Sequence, residues 1–333
     1  MITGTYKFYL DGEYIGEQKN SITRAGRVII LKSIMGILPT VGGEIHVGLD
    51  STANGAIDTN TGLIPNNILG FGVASAPVKM SFLDNSGNFD AMVFKASFGT
   101  SSSQGERYVI NELGLFPGNG NKNAQSLNET TLFSGSTADA WKEGETLLVP
   151  NTGSTTPSTS CYVTSALASY SFRVGNTALF IKANDTVRIN DSAKIKAYNL
   201  SLYNTIDTLR IAYSKLTGNS PTLTVQFRTT GTDYYVASIP ITGAQTYGFV
   251  QRTVSEMETA KVGNPRWSDI NEISIKSTTD IVIDAVRFNN VDAVDTVYGM
   301  VSRAALSTPI IKETNSVLDI EYYLSMAFNK TVT

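Results

Sequence analysis

A strand without a nearby partner constrains this chain more than any other feature. The stretch YVINELGLF, residues 108–116, has the alternation of a β-strand and runs into a Gly/Asn tract. A hairpin would bring the return strand within a few residues, but the sequence that follows does not have a strand pattern. A plausible partner comes only at VYGMVSRAAL, residues 297–306. Because an insertion at a hairpin tip keeps its two ends close together, we predict that a separate domain is inserted between these strands.

Length and composition agree with two domains and a β-rich fold. The chain has 333 residues, which is more than one hydrophobic core usually supports. Charged residues make up 17% of it, against about 25% in typical proteins, while Ser, Thr, Asn and Gly are abundant. We predict a first domain formed by residues 1–116 and 295–333, with residues 117–294 as the inserted domain.

Strand patterns run through most of the sequence. YKFYLDGEYIGE, residues 6–17, alternates on both sides of Asp11-Gly12 and predicts a hairpin. Beyond Cys161, short stretches rich in β-branched and aromatic residues are separated by Gly, Asn and Asp. This pattern is typical of a β-sandwich rather than of alternating βαβ units.

One helix is predicted near the N-terminus. The stretch SITRAGRVIILKSIMGILPT has apolar residues at helical spacing. Ser21 or Thr23 can cap its start, and Pro39 ends it. The residues at this spacing are Val28, Leu31, Ile34, Met35 and Leu38.

Charge and reactive side chains exclude several classes of function. The net charge is −3 and no block of Lys or Arg occurs, so we expect no nucleic-acid partner. The single cysteine, Cys161, and the single histidine, His46, exclude zinc sites that need several such ligands. His46 lies in a strand pattern and is interpreted as structural. No signal peptide is recognisable and the longest apolar run, near Val28–Leu31, is too short to cross a bilayer, so we expect no membrane insertion.

The first domain resembles a small virion domain of tailed phages and prophages. The similarity covers residues 1–116 and roughly 295–333. The motifs that carry it, in order, are YKFYLDGEYIGE, SITRAG, NELGLF, SRAAL, TPIIKET and LDIEYYLSM. Proteins like this are tail-fibre, tail or other virion structural components. The chain departs from the family pattern where NELGLF should turn quickly into SRAAL, which is the position of the predicted insertion.

The inserted domain is similar to the galactose-binding-like jelly roll of carbohydrate-binding modules. TLFSGSTADAW stands near its start, LYNTIDTLRIAYS in its middle and RWSDINEISIKSTTDIVIDAVRF at its end. The last stretch resembles the closing motif of that fold at Trp267, Ile270, Ile273, Ile275, Ile283, Asp284, Val286, Arg287 and Phe288. The expected fold class is therefore all-β: a small β-sandwich base with one N-terminal helix, interrupted by an inserted antiparallel β-sandwich of the jelly-roll type.

Candidate sugar contacts follow from chemistry, since sugars bind to aromatic faces flanked by planar polar groups. Trp267 is interpreted as structural because it begins the closing motif. Tyr234 and Tyr235 are neighbours on one strand, so one of them must point outward. The alternative for each candidate is a place in the core or rim of the sandwich. The candidates are Trp141, Tyr234, Tyr235, Tyr247, Arg252 and Arg266.

The resemblance also implies a candidate metal site. Jelly rolls of this kind often hold a structural calcium ion, and Asp139 and Asp284 are the best-placed carboxylates for it. The alternative is that each aspartate stabilises a turn, which we favour. We expect no other cofactor.

These observations favour a non-enzymatic structural component of a tailed-phage virion, of the tail-fibre, baseplate or collar type. The base would anchor the protein among other virion proteins as a homo-oligomer, a trimer or a higher symmetry, and the jelly roll would attach to a host-surface glycan. The protein would be made in the cytoplasm of the bacterial host and reside in the virion. One alternative is a capsid decoration, or cement, protein. A less favoured alternative is a tail-associated polysaccharide-degrading enzyme, because glycoside hydrolysis needs a pair of carboxylates that the sequence does not reveal.

Overall fold

The chain is almost entirely β-structure, which confirms the predicted fold class. It divides into two compact units: unit 1, Met1–Leu127 with Val294–Thr333, and unit 2, Asn128–Ala293. Within the part that is described, no helix combines the length and the apolar character needed to cross a membrane. The computed structural model describes residues 2–37, 40–51, 69–85, 89–100, 107–117, 129–134, 146–148, 157–164, 177–189, 195–196, 199–203, 207–289 and 299–326.

Unit 1 is built on one antiparallel sheet of nine strands and one helix, α1 (Arg24–Ile34). The strands are β1 (Ile2–Leu10), β2 (Glu13–Lys19), β3 (Ser21–Ile22), β4 (Glu44–Gly48), β5 (Gly72–Asn85), β6 (Phe89–Phe98), β7 (Tyr108–Phe116), β19 (Ser302–Lys312) and β20 (Leu318–Met326). Their order in the sheet is β2-β1-β20-β6-β5-β4-β7-β19-β3. The two ends of the sheet meet around one core, since the Tyr6 hydroxyl of β1 lies 2.8 Å from Oγ of Ser302 in β19.

Two local predictions for unit 1 are confirmed. The turn between β1 and β2 has positive φ at Asp11 and Gly12, 51° and 87°, as a type I′ hairpin requires. The strand at 108–116 pairs with the late strand, with Leu115 opposite Ser302 and Leu113 opposite Ala304. The chain therefore leaves β7 and returns to it after the whole of unit 2.

Helix α1 forms where predicted, and the residues it buries are not the ones whose spacing indicated the helix. Thr23 is the N-cap, and its Oγ1 accepts a hydrogen bond from the Gly26 N–H at 2.7 Å. A Cβ atom at Gly26 would lie 1.9 Å from the carbonyl oxygen of Val301, so the helix backbone rests directly on the chain before β19.

The buried residues of α1 follow from this close approach. They are Ala25, Gly26, Ile29 and Ile30, while Val28, Leu31, Ile34 and Met35, which indicated the helix by their spacing, are exposed. The face with small residues is buried because it permits a closer approach than the bulkier apolar face. Leu38 lies outside the described residues.

Unit 2 is a sandwich of two antiparallel sheets over a shared hydrophobic core. A seven-stranded sheet has the order β16-β13-β18-β11-β10-β9, with β8 also paired to β18, and a four-stranded sheet has the order β12-β17-β14-β15. The strands are β8 (Glu129–Ser134), β9 (Thr146–Leu148), β10 (Pro157–Thr164), β11 (Ala178–Ile181), β12 (Thr186–Ile189), β13 (Thr208–Lys215), β14 (Thr222–Arg228), β15 (Tyr234–Pro240), β16 (Tyr247–Thr253), β17 (Glu272–Ser277) and β18 (Ile281–Asn289). Short 3-10 turns occur at Leu200–Leu202 and Trp267–Asp269.

A second helix, α2 (Val254–Thr259), follows β16 directly and was not predicted. Its N-cap is Thr253, which forms a capping box with Glu256. The Glu256 N–H donates to Oγ1 of Thr253 at 3.2 Å, and the Thr253 N–H donates to Oε2 of Glu256 at 2.8 Å. This pair of bonds ends β16 and starts the helix.

Candidate functional site

The seven-stranded sheet of unit 2 is buried on both faces at its centre. All eight residues of β13 are buried. Leu209, Ile211 and Tyr213 belong to the sandwich core. Because successive side chains of a strand alternate, Arg210 and Ala212 lie on the opposite face. We call this second face the polar face; its residues are Tyr162, Ala178, Phe180, Arg210, Ala212, Ser214, Tyr247, Phe249, Gln251, Val282, Asp284, Ala285 and Arg287.

Aromatic side chains stand on two sides of the polar face. Tyr247 and Phe249 project from β16, which is an edge strand, and both are half-buried. On the other side, the half-buried rings of Tyr162 in β10 and Phe180 in β11 have centroids 5.2 Å apart. Four strand spacings separate β16 from β10, or about 19 Å at the usual distance between strands.

The floor between these aromatic walls is made of small side chains. Ala212 of β13 lies opposite Ala285 of β18, and both are fully buried. Ser214 and Ala178 are also fully buried. Small residues therefore lie at the centre of the face and rings at its edges; we call this row of side chains, which runs across the strands, the trough.

Two arginines lie beside the trough, on the central strands β13 and β18. Arg210 in β13 is directly opposite Arg287 in β18, and Gln251 of β16 is opposite Arg210 on its other side. Arg210 is 6% and Arg287 is 7% exposed. Nε of Arg210 donates to Oγ1 of Thr208 at 3.1 Å. The row therefore presents guanidinium and amide donors side by side.

A carboxylate lies on the other side of the alanine pair along β18. Asp284 is fully buried, and its Oδ2 accepts a hydrogen bond from the Tyr247 hydroxyl at 2.7 Å. The pairing of β13 with β18 shifts by one residue here, from Ala212 opposite Ala285 to Tyr213 opposite Ile283. Asp284 is the extra residue of this β-bulge. Bulges re-aim side chains, and this one places Asp284 and Ala285 on the same face.

Charges at the centre of a sheet are costly, because they must be removed from water on folding. Valine or isoleucine at Arg210, Asp284 and Arg287 would satisfy the alternation of these strands at lower cost. Residues that depart from the local rules of folding in this way are found mainly at functional sites. Chemically, the polar face combines planar donors, one anionic acceptor and aromatic rings along one trough.

The predicted sugar contacts Tyr234 and Tyr235 both lie in the four-stranded sheet, away from the polar face. As alternation required, one points in and one points out. Tyr235 is buried, its hydroxyl donates to the Pro265 carbonyl at 2.9 Å, and its ring stacks on Trp267 at 4.0 Å between centroids. Tyr235 and Trp267 are thus core residues. Tyr234 is half-buried, with the Arg228 guanidinium 4.5 Å above its ring.

Neither of the two predicted arginines lies on the polar face. Arg252 holds the two sheets together, since its Nε and Nη2 donate to the Ser238 carbonyl of β15 at 3.1 and 2.9 Å. Its Nη1 donates to Glu256 at 2.8 Å. Arg266 is exposed before the 3-10 turn at Trp267. Of the predicted sugar contacts that are described, Tyr247 is the one on the polar face.

The predicted metal ligands are not brought together as a site that can be described. Trp141 and Asp139 lie outside the described residues. Among the residues that the structure does describe, no group of three or more His, Cys, Asp or Glu side chains could hold a metal ion. Asp284 takes part in the polar face through Tyr247.

Sequence reasoning missed Arg210, Gln251, Phe249, Phe180 and Tyr162. A signal for Arg210 was present in TLRIAYSK, where Arg and Ser alternate with Leu, Ile and Tyr. That alternation indicates a polar face, but the pairing of Arg210 with Arg287 depends on strand register. The sequence does not specify register across such a separation.

No family model and no curated protein matches this chain. Among solved structures, it is similar to the CBM22-1 xylan-binding domain of Paenibacillus barcinonensis Xyn10C, at 13% identity and a TM-score of 0.26, over 49% of this chain and 92% of that one. It is similar to a family 11 carbohydrate-binding module from Clostridium thermocellum, at 10% identity and a TM-score of 0.25, over 43% of this chain and 94% of that one.

A third similar structure is the CBM22-1–GH10 part of the Clostridium thermocellum xylanase Xyn10B, at 10% identity and a TM-score of 0.23. That likeness covers 45% of this chain and 28% of the other. At these identities and TM-scores, none of the three likenesses indicates a function for this chain.

Proposed function

We propose that this protein is a non-enzymatic glycan-binding protein and that the polar face of unit 2 is its binding site. The observation that carries the proposal is the set of buried charges, Arg210, Arg287 and Asp284, between two aromatic walls. A sugar chain needs both components of this arrangement, ring faces for the apolar side of each sugar and planar polar groups for its hydroxyls.

The trough matches the chemistry of a sugar chain. Each pyranose has an apolar face, which packs on rings such as those of Tyr247 and Phe249, and a rim of hydroxyls. The guanidinium groups of Arg210 and Arg287 can donate to hydroxyl oxygens, and the carboxylate of Asp284 can accept from hydroxyl hydrogens. Three strand spacings, about 14 Å, separate Tyr247 of β16 from Phe180 of β11, and this length favours an oligosaccharide over a single sugar.

Binding without hydrolysis is proposed from the same residues. Glycoside hydrolases need two carboxyl groups across the scissile bond, about 5 to 9.5 Å apart. Among the described side chains of the polar face, Asp284 is the single carboxylate, and it is engaged with Tyr247. Among these described side chains, Asp284 has no second carboxyl group beside it for acid–base chemistry, so we propose that the face holds a glycan without cleaving it.

We also propose that unit 1 anchors the protein in a tailed-phage virion. This is supported by the ordered motifs of the sequence, and two of them, NELGLF and SRAAL, pair as strands β7 and β19. Images of intact virions test it: density for this protein at the tail or collar supports the anchor, density on the capsid lattice favours a cement role, and absence from particles contradicts both.

The glycan proposal is tested with the full-length protein on an array of bacterial surface and plant polysaccharides, followed by affinity electrophoresis with the best ligands. We expect retardation by at least one polysaccharide and no release of reducing ends from it. Folded protein that binds nothing would contradict the glycan site. Released oligosaccharide would show the protein to be an enzyme.

A further inference from the structure

Exposed apolar side chains are concentrated in unit 1. Of the large apolar side chains that are exposed among the described residues, all but Val262 belong to this unit. Many of them fall into two separate surfaces that share no residue, one on α1 and one at the β1–β2 hairpin. Exposed apolar patches of this kind mark sites of association.

The first surface, which we call the basic ridge, is the exposed side of α1 and the residues that follow it. Its apolar members are between 37 and 71% exposed. The helix also carries Arg24, Arg27 and Lys32 and contains no acidic residue. The basic ridge consists of Arg24, Arg27, Val28, Leu31, Ile34 and Met35.

The second surface, the acidic groove, is a cavity of about 360 Å³ between β2 and β19. It forms because the pairing of β19 with β7 breaks between Ala305 and Ile310, so that residues 306–309 leave the ladder. Glu17 is the one charged residue that lines it. Glu13 and Lys19 are exposed at the two ends of the same strand, and Lys7 of β1 lies opposite Glu17. Its apolar lining includes Phe8, Leu10, Ile15, Leu306, Pro309 and Ile311.

We propose that the basic ridge of one copy of this chain docks into the acidic groove of a second copy. The two surfaces are complementary, since one is a convex helix with apolar side chains and cations and the other is a concave apolar groove with a carboxylate rim. Docking of ridge on ridge would place Arg27 against like charges, and docking of groove on groove would do the same for Glu17. Charge therefore favours contact between the basic ridge of one molecule and the acidic groove of an identical molecule.

Because the two surfaces differ, the contact is heterologous. Each copy keeps a free ridge and a free groove after one contact, so the assembly grows head to tail into a ring or a filament. This inference deepens the proposed anchoring role of unit 1 and rests on it. The polar face of unit 2 takes no part, so its glycan binding can be measured independently.

The test uses two full-length variants and measures mass by analytical ultracentrifugation and mass photometry. Leu31→Asp places an acid on the ridge, and Ile15→Arg places a base in the groove; the two side chains are 50 and 45% exposed, so folding is expected to be retained. We expect wild type to form species larger than a dimer and each variant to be monomeric, with a dissociation constant raised on the order of a hundredfold. An equimolar mixture should associate again, because the intact ridge of Ile15→Arg meets the intact groove of Leu31→Asp.

Several results would overturn the interface: a monomeric wild type, single variants that still assemble, or a mixture that stays monomeric. Val262→Asp, at the exposed apolar residue of unit 2, is the matched control and should assemble like wild type. If either variant fails to fold, Ile34→Asp and Ile311→Arg test the same two surfaces. Glycan binding by Leu31→Asp should equal that of wild type per chain, so failure of the interface and failure of the glycan site are seen separately.

Discussion

Glu112 and Arg303 are 191 residues apart in the sequence, yet Nη2 of Arg303 lies 2.9 Å from Oε2 of Glu112 and both side chains are fully buried. Arg303 also reaches Oδ2 of Asp50 at 3.1 Å. Glu112 accepts further hydrogen bonds from the N–H groups of Gly70 and Phe71, at 2.9 and 2.8 Å. The carboxylate therefore joins the early and late segments of unit 1 on either side of the insertion.

The first prediction concerns this buried pair. Glu112→Ala should lower the free energy of unfolding of unit 1 by about 3 to 5 kcal/mol, because it leaves the Arg303 guanidinium buried without its main anion. Urea denaturation followed by circular dichroism measures the change. Lys95→Ala, at an ion pair with Glu321 whose lysine is 47% exposed, is the control and should cost about 1 kcal/mol or less. Equal losses for the two variants would contradict the structural role of the buried pair.

The second prediction concerns His46, which is buried, with its Nε2 3.0 Å from Oε2 of Glu44. Burial lowers the pKa of His46 below its ordinary value of 6.5, and the contact with Glu44 opposes this only in part. Between the lowered pKa and 6.5, the unfolded chain binds a proton that the folded chain does not. The free energy of unfolding should therefore fall as the pH is lowered from above 6.5 through the folded-state pKa.

The His46→Gln variant isolates this contribution, since His46 is the single histidine of the chain. The difference in unfolding free energy between wild type and variant should shrink as the pH falls from about 7.5 to 5. A difference that is constant across this range, or that grows at low pH, would show that the folded-state pKa is not lowered.

The third prediction separates core aromatics from ligand contacts. Tyr235→Phe removes the hydroxyl that donates to the Pro265 carbonyl and keeps the ring stacked on Trp267. We expect a loss of about 1 kcal/mol in the stability of unit 2, measured by thermal unfolding, and unchanged affinity for the glycan. A weaker glycan affinity at unchanged stability would show that Tyr235 contacts the glycan.

The fourth prediction concerns Cys161, which is fully buried in the core of unit 2. Burial raises the pKa of its thiol to about 11, so the reactive thiolate is scarce at pH 8. A thiol reagent such as dithiobisnitrobenzoate should react with the native protein at least about a hundredfold more slowly than with the protein in urea. Equal rates in the two conditions would place Cys161 at the surface.

Local chemistry explains what the sequence could predict. The type I′ turn at Asp11-Gly12 and the start of α1 at Thr23 follow from neighbouring residues, and β7 and β19 could be matched from their strand patterns. The face that α1 buries could not be predicted, because it depends on the contact of Gly26 with Val301. Helix α2 has a capping-box signature, Thr253 followed by Glu256, which lies at the end of a strand pattern and was missed.

The candidate site was harder to predict than the fold for a physical reason. Its aromatic and charged residues come from five strands, and only the register brings Arg210 opposite Arg287. The bulge at Asp284 changes which face that carboxylate occupies. Neither register nor bulge is specified by the residues immediately around it, so composition and alternation alone could not identify the trough.

The central claim is that the polar face of unit 2, and not the sandwich in general, binds a glycan. The most direct measurement compares Phe249→Ala, on the polar face, with Tyr234→Ala, on the outer side of the other sheet, by isothermal titration of the full-length proteins with a polysaccharide that wild type binds. Both rings are half-buried and both lie on strands at the edge of a sheet. We predict that Phe249→Ala weakens binding on the order of tenfold to thirtyfold and that Tyr234→Ala binds like wild type. Undiminished binding by folded Phe249→Ala, with loss in Tyr234→Ala, would contradict the account.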